Sequence, residues 1–304
     1  MNKPDIDDIP FPPSPVVPET FDGSKEIRFQ CRKGIACWNA CCSNIDISLT
    51  PYDILRLKQR LDISSGEFLQ QYTVPYEMER DGIAGVKLKP VENGTACRFM
   101  TDEGCGVYAD RPTACRYYPV ALLSIRRQDE NTDRNSFALV KEDHCLGHQE
   151  PRTLSIDMYR KEQGLDEYDD LARGWRQLVL KKKSSGPTVG KPSKRSLQLW
   201  FMTCYDVDRF REFVASDKFA ELYDLPPEEM LAILADDAAL MQFGFRFLRQ
   251  ALFGEETIPF HTDAAAKRIE RYRAKVMAVE RAASAEIELD QQFDPYGTLK
   301  EERE

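Results

Sequence analysis

The sequence has little histidine, no long apolar run and no excess of basic residues. Only 3 of its 304 residues are His, which leaves little material for a Ser/His/Asp hydrolase or a histidine-based metal site. No stretch approaches the roughly 18 unbroken apolar residues of a membrane span, so we expect no membrane partner. The formal net charge of -9 argues against general nucleic-acid binding, whose electrostatic footprint is basic.

The chain also lacks the features of a secreted protein. It starts MNKPDIDDIPFPP, with acid and proline where a signal peptide would have a basic flank and an apolar run, so we expect a cytoplasmic protein. A chain of this length can form a substantial core without disulfides. In a reducing cytosol, a dense set of cysteines therefore indicates metal or redox chemistry more often than disulfides.

Composition divides the chain into five parts. We expect a disordered, proline-rich arm (1–24), a cysteine-cluster metal-binding domain (25–180), a basic flexible linker (181–196), a helical region (197–288) and an acidic tail (289–304).

The first of the two large parts mixes helix and strand signals. Thr50 and Asp53 flank the start of one predicted helix, and Ser64 and Glu67 have the spacing of a capping box at the start of the next. Residues 120–140 predict two strands joined by a polar loop. The sequence thus predicts an α+β fold, a small cysteine-rich domain with short strands followed by a mostly helical region.

Beyond residue 150 the apolar periodicity is helical. The last predicted helix has an amphipathic stripe at Ile269, Tyr272, Val276, Val279 and Ala283. Four phenylalanines at 243, 245, 247 and 253 favour a packed helical core over a ligand pocket.

Eight of the nine cysteines lie between residues 31 and 145, with spacings C-x5-C-x3-C-C and then C-x7-C-x9-C. A soft metal ion or an iron-sulfur cluster needs about four converging thiolates. The set could therefore hold two four-thiolate sites, or one site with the other thiols structural. We predict as metal ligands Cys31, Cys37, Cys41, Cys42, Cys97, Cys105, Cys115 and Cys145. Cys204 stands apart and is expected to be a small buried side chain.

The adjacent pair Cys41 and Cys42 restricts the geometry, because neighbouring side chains diverge in a strand and in a helix alike. Either the backbone turns sharply at this pair, or the two sulfurs serve different roles or different metal ions. A vicinal disulfide is a third alternative. His144 and His148 flank Cys145 and could complete a mixed site, although eight cysteines require no histidine.

The segment CRFMTDEGCGVYADRPTACRYYPV resembles the signature of the CxxCxxCC, or YkgJ-like, family of zinc- or iron-chelating proteins. The resemblance covers roughly residues 29–150 and implies metal chelation. The signature matches at Cys97, Phe99, Gly104, Cys105, Val107, Tyr108, Arg111, Pro112, Cys115, Arg116, Tyr118, Pro119, Cys145 and Gly147. The first four cysteines depart from the family's two-residue gaps, which leaves the separate roles of Cys31 and Cys37 open.

Two arginines of the signature bracket one cysteine. Cations such as Arg111 and Arg116 lower the pKa of nearby thiols and offset the charge of a thiolate-rich site. Ordinary ion pairing with the many carboxylates of this acidic chain is the alternative. Pro112 suits the first turn of a short helix.

These features support three functional hypotheses. The first is a metal-binding protein that holds an iron-sulfur cluster of the 4Fe-4S type, or zinc, through the eight cysteines. The second is an S-adenosylmethionine-dependent protein-lysine methyltransferase, since flagellin lysine N-methylases resemble this family. No glycine-rich Rossmann turn supports that second hypothesis. The third is a structural zinc module whose helical region binds a protein partner.

Overall fold

The protein is described from a computed structural model. The described residues are 16, 19–78, 82–125, 134–184, 192–263, 269–270, 273–274, 276–278 and 281. The predicted acidic tail and most of the predicted arm lie outside these residues, as does the middle of the predicted linker.

The strands are short and concentrated before residue 156. They are β1 (Glu26–Arg28), β2 (Ser48–Leu49), β3 (Thr73–Met78), β4 (Ile83–Leu88), β5 (Met100–Thr101), β6 (Gly104–Cys105), β7 (Val120–Ile125), β8 (Arg134–Leu139) and β9 (Thr153–Ser155). All pairings are antiparallel: β1 with β9, β5 with β6, β7 with β8, and a three-stranded sheet in the order β2-β4-β3.

Most helices follow in the second half. They are α1 (Pro51–Leu61), α2 (Ser65–Tyr72), α3 (Thr113–Tyr117), α4 (Ile156–Glu162), α5 (Leu165–Ser184), α6 (Lys194–Tyr205), α7 (Val207–Val214), α8 (Asp217–Ala220), α9 (Pro227–Ala235) and α10 (Asp237–Phe253). This arrangement confirms the predicted α+β class.

The first two helices begin at the capping residues that the sequence predicted. In α1 the Thr50 side chain accepts from the Asp53 backbone N–H, and the Asp53 carboxylate accepts from the Thr50 backbone N–H. Ser64 and Glu67 form the same reciprocal capping box at α2. Each box satisfies backbone donors that the first helical turn leaves without partners.

Two parts differ from the expected domain layout where they are described. The arm is not free at Phe21, whose backbone exchanges hydrogen bonds of 2.7 and 2.8 Å with Phe137 of β8. The edge of the two-stranded β7-β8 ladder offers unpaired backbone groups, which explains this contact. The predicted linker overlaps helices at both ends, since α5 continues to Ser184 and α6 begins at Lys194.

Three clusters of buried apolar residues form the interior. Core 1 joins the first half of the chain to the late helices and includes Leu49, Tyr52, Leu57, Phe68, Val86, Tyr168, Leu178, Trp200, Tyr205, Phe245 and Leu248. Core 2 lies under β1, β7, β8 and β9 and includes Ile27, Phe29, Tyr117, Phe137, Leu154 and Ile156. Core 3 lies among α7 to α10 and includes Phe210, Phe219, Leu240, Phe243 and Phe247. Phe243, Phe245 and Phe247 of α10 thus pack in the interior, as predicted, and Phe253 packs half-buried against core 1.

The amphipathic stripe predicted near the C-terminus is only partly described. Ile269 and Val276 are exposed, and Tyr272, Val279 and Ala283 lie outside the described residues. Among the helices that the structure describes, none has both the length and the apolar character needed to cross a bilayer.

Candidate metal centre

The eight predicted ligands come from four segments of the chain. Four lie in the loop between β1 and β2, two lie at the β5-β6 hairpin, Cys115 lies on α3, and Cys145 immediately precedes a short 3-10 helix (Leu146–Gln149). All nine cysteines are free thiols, so the vicinal disulfide is not formed. Cys204 is 4% exposed within core 1, as expected for a structural side chain.

The adjacent cysteines lie on a sharp turn, a 3-10 helix spanning Ala40–Cys42. Asn39 precedes it with φ of 65°, in the left-handed region that asparagine tolerates. The two sulfurs of Cys41 and Cys42 are 4.0 Å apart. A hydrogen bond from Cys42 lowers the pKa of Cys41 to about 7, and the same contact raises the pKa of Cys42.

Backbone hydrogen bonds attach this turn to the segment before β5. The N–H of Cys97 donates to the carbonyl of Cys42 at 2.7 Å, and the N–H of Ile45 donates to the carbonyl of Thr95 at 2.9 Å. The Asn39 side chain donates to the carbonyl of Thr101 in the hairpin at 2.9 Å. The turn and the hairpin are therefore fixed relative to each other.

The hairpin itself positions Cys105 near Cys97. Cys105 pairs with Met100, whose N–H donates to the carbonyl of Cys97 at 3.1 Å. Gly104 has φ of 119°, and a Cβ there would lie 2.9 Å from the Trp38 ring. Burial raises the pKa of both thiols, and the charge of Cys105 adds to the effect on Cys97.

Cys115 is placed by a buried carboxylate on α1. One oxygen of Asp53 completes the capping box, and the other accepts from the Thr113 N–H at 2.8 Å and from its hydroxyl at 2.7 Å. This contact anchors the first turn of α3, which directly follows Pro112. The pKa of Cys115 is raised by burial, then by the charges of Cys97 and Cys105. Sequence analysis found Asp53 as a cap but missed this second role.

The segment that carries Cys145 contacts the loop that carries Cys31 and Cys37. The Leu146 N–H donates to the Cys37 sulfur at 3.3 Å, and the Gln30 N–H donates to the carbonyl of Gly147 at 3.0 Å. Burial raises the pKa of Cys31 to about 11, and the charges of Cys41, Cys37 and Cys145 contribute further. These thiols therefore lie close enough to interact.

The two bracketing arginines have different environments. Arg116 is buried, and its guanidinium donates to the carbonyls of Ala109, Arg111 and Gln163 and to the Tyr168 hydroxyl. It holds the backbone around α3. Among the described residues, the hydrogen bonds of Arg111 and Arg116 go to amide, carbonyl and hydroxyl oxygens, and no ion pair with a carboxylate is found there.

Arg111 is the arginine that faces the thiols. Its positive charge lowers the pKa of four thiols. At Cys31, Cys105 and Cys115 this effect opposes burial, which is larger and raises the pKa. At Cys41 it adds to the hydrogen bond from Cys42, which also lowers the pKa. It lies 4.3 Å from the centre of the Tyr108 ring and donates to Gln163. Its buried Nε has no hydrogen-bond partner among the described residues.

Two other buried donors near the cysteines are also unpaired. The Trp38 indole N–H and the Tyr118 hydroxyl have no hydrogen-bond partner among the described residues. Trp38 lies against Gly104, next to Cys105. Burial raises the pKa of Tyr118 most, and the direct contact with the Cys145 side chain raises it further. Buried donors need acceptors, and thiolates or cluster sulfides are acceptors that would satisfy these groups.

The histidines have other partners. His148 contacts the carbonyl of Val140 at 3.0 Å and packs against the Phe29 ring, and His144 lies 3.5 Å from Glu142. His261 contacts the carbonyl of Ala220. These contacts favour an all-cysteine ligand set over a mixed one.

The chemistry of the donor set fits a soft metal. Within the part of the chain that the structure describes, no three His, Cys, Asp or Glu side chains converge tightly enough to hold one ion. The residues that would hold a metal are nevertheless all thiols, which zinc and iron-sulfur clusters prefer. The unpaired donors around them fit a negatively charged, sulfur-rich centre.

Comparison with known protein families agrees with this chemistry. Residues 30–149 match the family CxxCxxCC, described as "Putative zinc- or iron-chelating domain". The matched range contains all eight predicted ligands, and the match confirms the resemblance noted in the sequence. No curated protein and no solved structure shows significant similarity to the chain. The match indicates chelation of zinc or iron by this region.

Proposed function

We propose that this protein binds metal through its eight clustered cysteines, and that the metal is iron held in an iron-sulfur cluster. The observation that supports the proposal is that eight free thiols lie on four segments, two of which, the β5-β6 hairpin segment and the Cys145 segment, are hydrogen-bonded to the loop that carries the first four. The half-buried cation Arg111 acts on four of these thiols. Three unpaired buried donors next to these thiols support a sulfur-rich, anionic occupant.

Zinc and an iron-sulfur cluster use the same kind of ligand. Zinc holds four sulfurs at about 2.3 Å from one point, whereas each iron of a cluster binds its own cysteine. A redox or substrate-binding cluster would account for so many thiols carried on loops and very short elements. Zinc remains the alternative occupant of the same thiols.

When bound, an iron-sulfur cluster would supply electron transfer or a site for substrate. The protein's own residues would supply the environment. Arg111 would offset thiolate charge, and Trp38 and Tyr118 would donate hydrogen bonds toward sulfur. Such contacts tune the potential of a cluster.

Anaerobic purification followed by metal analysis tests the proposal. We expect a brown protein that contains iron and acid-labile sulfide, and Cys115→Ser should lower the iron content at least twofold. Cys204→Ser is the matched control, because Cys204 is a buried thiol in core 1 and should leave the iron content unchanged. A colourless protein with stoichiometric zinc would reject the cluster but keep metal binding. A protein that retains neither metal would reject the proposal.

A further inference from the structure

An exposed Asn-Gly pair lies in the turn that precedes Cys97. All of residues 91–95 are exposed, and Asn93 has φ of 58°, in the left-handed region that asparagine tolerates. The N–H of Gly94 donates to the carbonyl of Val91 at 3.3 Å, which is longer than most such bonds. Among the described residues, no hydrogen bond holds the Asn93 side-chain amide. The fold therefore restrains this pair only weakly.

An asparagine followed by glycine loses its side-chain amide without an enzyme. The backbone nitrogen of Gly94 attacks Cγ of Asn93, the new N–C bond closes a five-membered succinimide ring, and the amide leaves as ammonia with the proton of the Gly94 N–H. Water then opens the ring. Opening at the side-chain carbonyl leaves aspartate, whereas opening at the main-chain carbonyl leaves isoaspartate, whose backbone runs through the side-chain methylene. Glycine favours the attack because it has no side chain to crowd the nitrogen.

Two other asparagines in the same part of the fold lack these features. Asn44 is also exposed, but it precedes Ile45, whose branched side chain crowds the attacking nitrogen. The side-chain amide of Asn39 donates to the carbonyl of Thr101 at 2.9 Å and is held in place. Of these three asparagines, Asn93 is therefore expected to react first.

The turn around Asn93 sets the position of Cys97. The Val91 N–H donates to the carbonyl of Ala96 at 2.9 Å, and Pro90 forms an antiparallel bridge with Cys97. An isoaspartate at position 93 adds one carbon to the main chain between these paired positions. The pairing then loses its geometry on at least one side of the turn.

The residues after the turn connect it to the first cysteine loop. The Thr95 carbonyl accepts from the Ile45 N–H at 2.9 Å, and the Thr95 hydroxyl donates to the carbonyl of Ser43 at 2.9 Å. The Cys97 N–H donates to the carbonyl of Cys42 at 2.7 Å. These contacts keep the Cys97 side chain buried, at 7% exposure. A longer backbone at position 93 shifts their donors and acceptors relative to the loop.

We infer that Asn93 is a site of spontaneous covalent modification, that its product is isoaspartate, and that the conversion releases Cys97 from its buried position. Solvent water is the only co-reactant. Loss of ammonia is not reversed by water, so converted molecules accumulate as the protein ages. The effect belongs to the fold without metal and does not depend on which metal the thiols bind.

Ageing the full chain at neutral pH, with reductant and a chelator and without oxygen, tests the inference. Samples taken over time are treated briefly with iodoacetamide under native conditions and digested with trypsin. Asn93 and Cys97 share one tryptic peptide, residues 88–98, since trypsin does not cut between Lys89 and Pro90. Mass spectrometry with electron-transfer fragmentation therefore reads the state of position 93 and the alkylation of Cys97 on the same molecule.

We expect Asn93 to convert about tenfold or more faster than Asn44. In isoaspartyl molecules, Cys97 should react about fivefold or more faster than in unconverted ones, as expected when a backbone hydrogen bond that opposes local opening is lost. Gly94→Ala is the matched variant. Gly94 lies outside the left-handed region, and an added Cβ would meet the Val91 side chain at 2.9 Å, which has room to move because it is exposed. This variant should convert about tenfold more slowly and keep Cys97 protected.

A second variant separates charge from backbone length. Freshly purified Asn93→Asp carries the negative charge of the product without the added carbon, and aspartate also tolerates the left-handed region. Its Cys97 should stay protected. Rapid alkylation of Cys97 in this variant would assign the effect to charge and overturn the backbone explanation.

The modification site is wrong if Asn93 converts no faster than Asn44, or if Gly94→Ala converts as fast as the unaltered chain. Release of Cys97 is wrong if converted molecules keep it protected. Cys204, which is 4% exposed, reports on global unfolding. If Cys204 reacts in the chelated chain, the chain has unfolded, and the chain aged with its metal bound then decides by the same comparison.

Discussion

Arg111 is a cation whose charge acts on four thiols of the candidate metal centre. At three of these thiols, Cys31, Cys105 and Cys115, its positive charge opposes the effect of burial, which raises the pKa. Metal binding must displace those protons, so a cation that favours thiolates also favours metal. From the sequence, both Arg111 and Arg116 were predicted to lower the pKa of nearby thiols. In the structure the charge of Arg111 has this effect, whereas Arg116 donates hydrogen bonds to backbone carbonyls.

We expect Arg111→Gln to weaken zinc binding at neutral pH by about tenfold to a hundredfold. The loss should shrink at higher pH, because thiols that have lost the cation need a higher pH to ionise. Competition with a chromogenic chelator between about pH 6 and pH 8 measures both effects. Arg111→Lys, which keeps the charge, should lose less affinity.

Lys33→Gln is the matched control for loss of a positive charge. Lys33 lies between Cys31 and Cys37 in sequence, but its side chain is 62% exposed and pairs with Glu103. We expect little change in its zinc affinity. Equal losses in Arg111→Gln and Lys33→Gln would contradict a specific role for Arg111.

At the scale of elements, very short pieces of structure carry the ligands, and precise contacts fix them. The loop with Cys145 depends on close packing at Gly147. A Cβ at that position would lie 2.6 Å from the Phe29 ring and 3.2 Å from the Gln30 carbonyl. Phe29 belongs to core 2 and is 3% exposed, so its ring has little room to move.

We therefore expect Gly147→Ala to lower the free energy of unfolding of the metal-free chain by about 1–3 kcal/mol, as overpacking does. Urea denaturation measures the change. The control is Gly66→Ala in α2, where an added Cβ meets nothing within 4 Å. That variant should be neutral or slightly stabilised, because alanine favours helix. Equal free energies of unfolding for Gly147→Ala and Gly66→Ala would contradict this prediction, because they would mean that the Cys145 loop moves to make room for the added methyl group.

At the scale of the whole molecule, the cysteine-rich half and the late helices share one core and a set of polar contacts. Buried Lys58 of α1 donates to Asp208 of α7 at 2.5 Å and lies 3.5 Å from Asp237 of α10. The other oxygen of Asp208 accepts from the Ser65 N–H at 2.6 Å. Helix α1 thus holds the helix that carries Cys115 through Asp53, and it contacts the helical region through Lys58.

Asp208 makes this connection dependent on pH. Burial raises its pKa, but Lys58 and the Ser65 N–H outweigh burial, so the pKa lies below the ordinary 3.8. Because this pKa is lower in the folded state, ionised Asp208 stabilises the protein at pH values above its unfolded-state pKa. That contribution disappears as the pH falls through the lowered pKa of the folded state.

We expect Asp208→Asn to lower the free energy of unfolding at neutral pH by about 1–2 kcal/mol. The loss is this small because Asp208 is partly exposed and because Lys58 keeps Asp237 as a partner. The difference from the unaltered chain should shrink below about pH 4. Urea denaturation across this range measures it. Asp170→Asn, which removes an exposed ion pair with Arg173, should stay within about 0.5 kcal/mol. A pH-independent difference for Asp208→Asn would contradict the ionic explanation.

The features that the sequence predicted correctly are those encoded within a few neighbouring residues. Short spacings determine the capping boxes at Thr50 and Ser64 and the family signature around Cys105 and Cys115. They also determine the local helix and strand patterns from which the α+β class was predicted. Features that depend on distant segments were not predictable in this way. The pairing of Phe21 with β8 requires knowing which strand edge is open, and the second contact of Asp53 joins residues 60 positions apart.

The sequence by itself determined that this protein carries a thiol-rich, zinc- or iron-chelating region, because residue types and local spacing suffice to identify ligand chemistry. Only the tertiary structure decided which cysteine-bearing segments are hydrogen-bonded to one another, which arginine acts on the thiols, and that the sulfurs of neighbouring Cys41 and Cys42 lie 4.0 Å apart. The reason is physical: the ligands come from four segments, and their grouping is set by long-range backbone hydrogen bonds and by packing on two different cores.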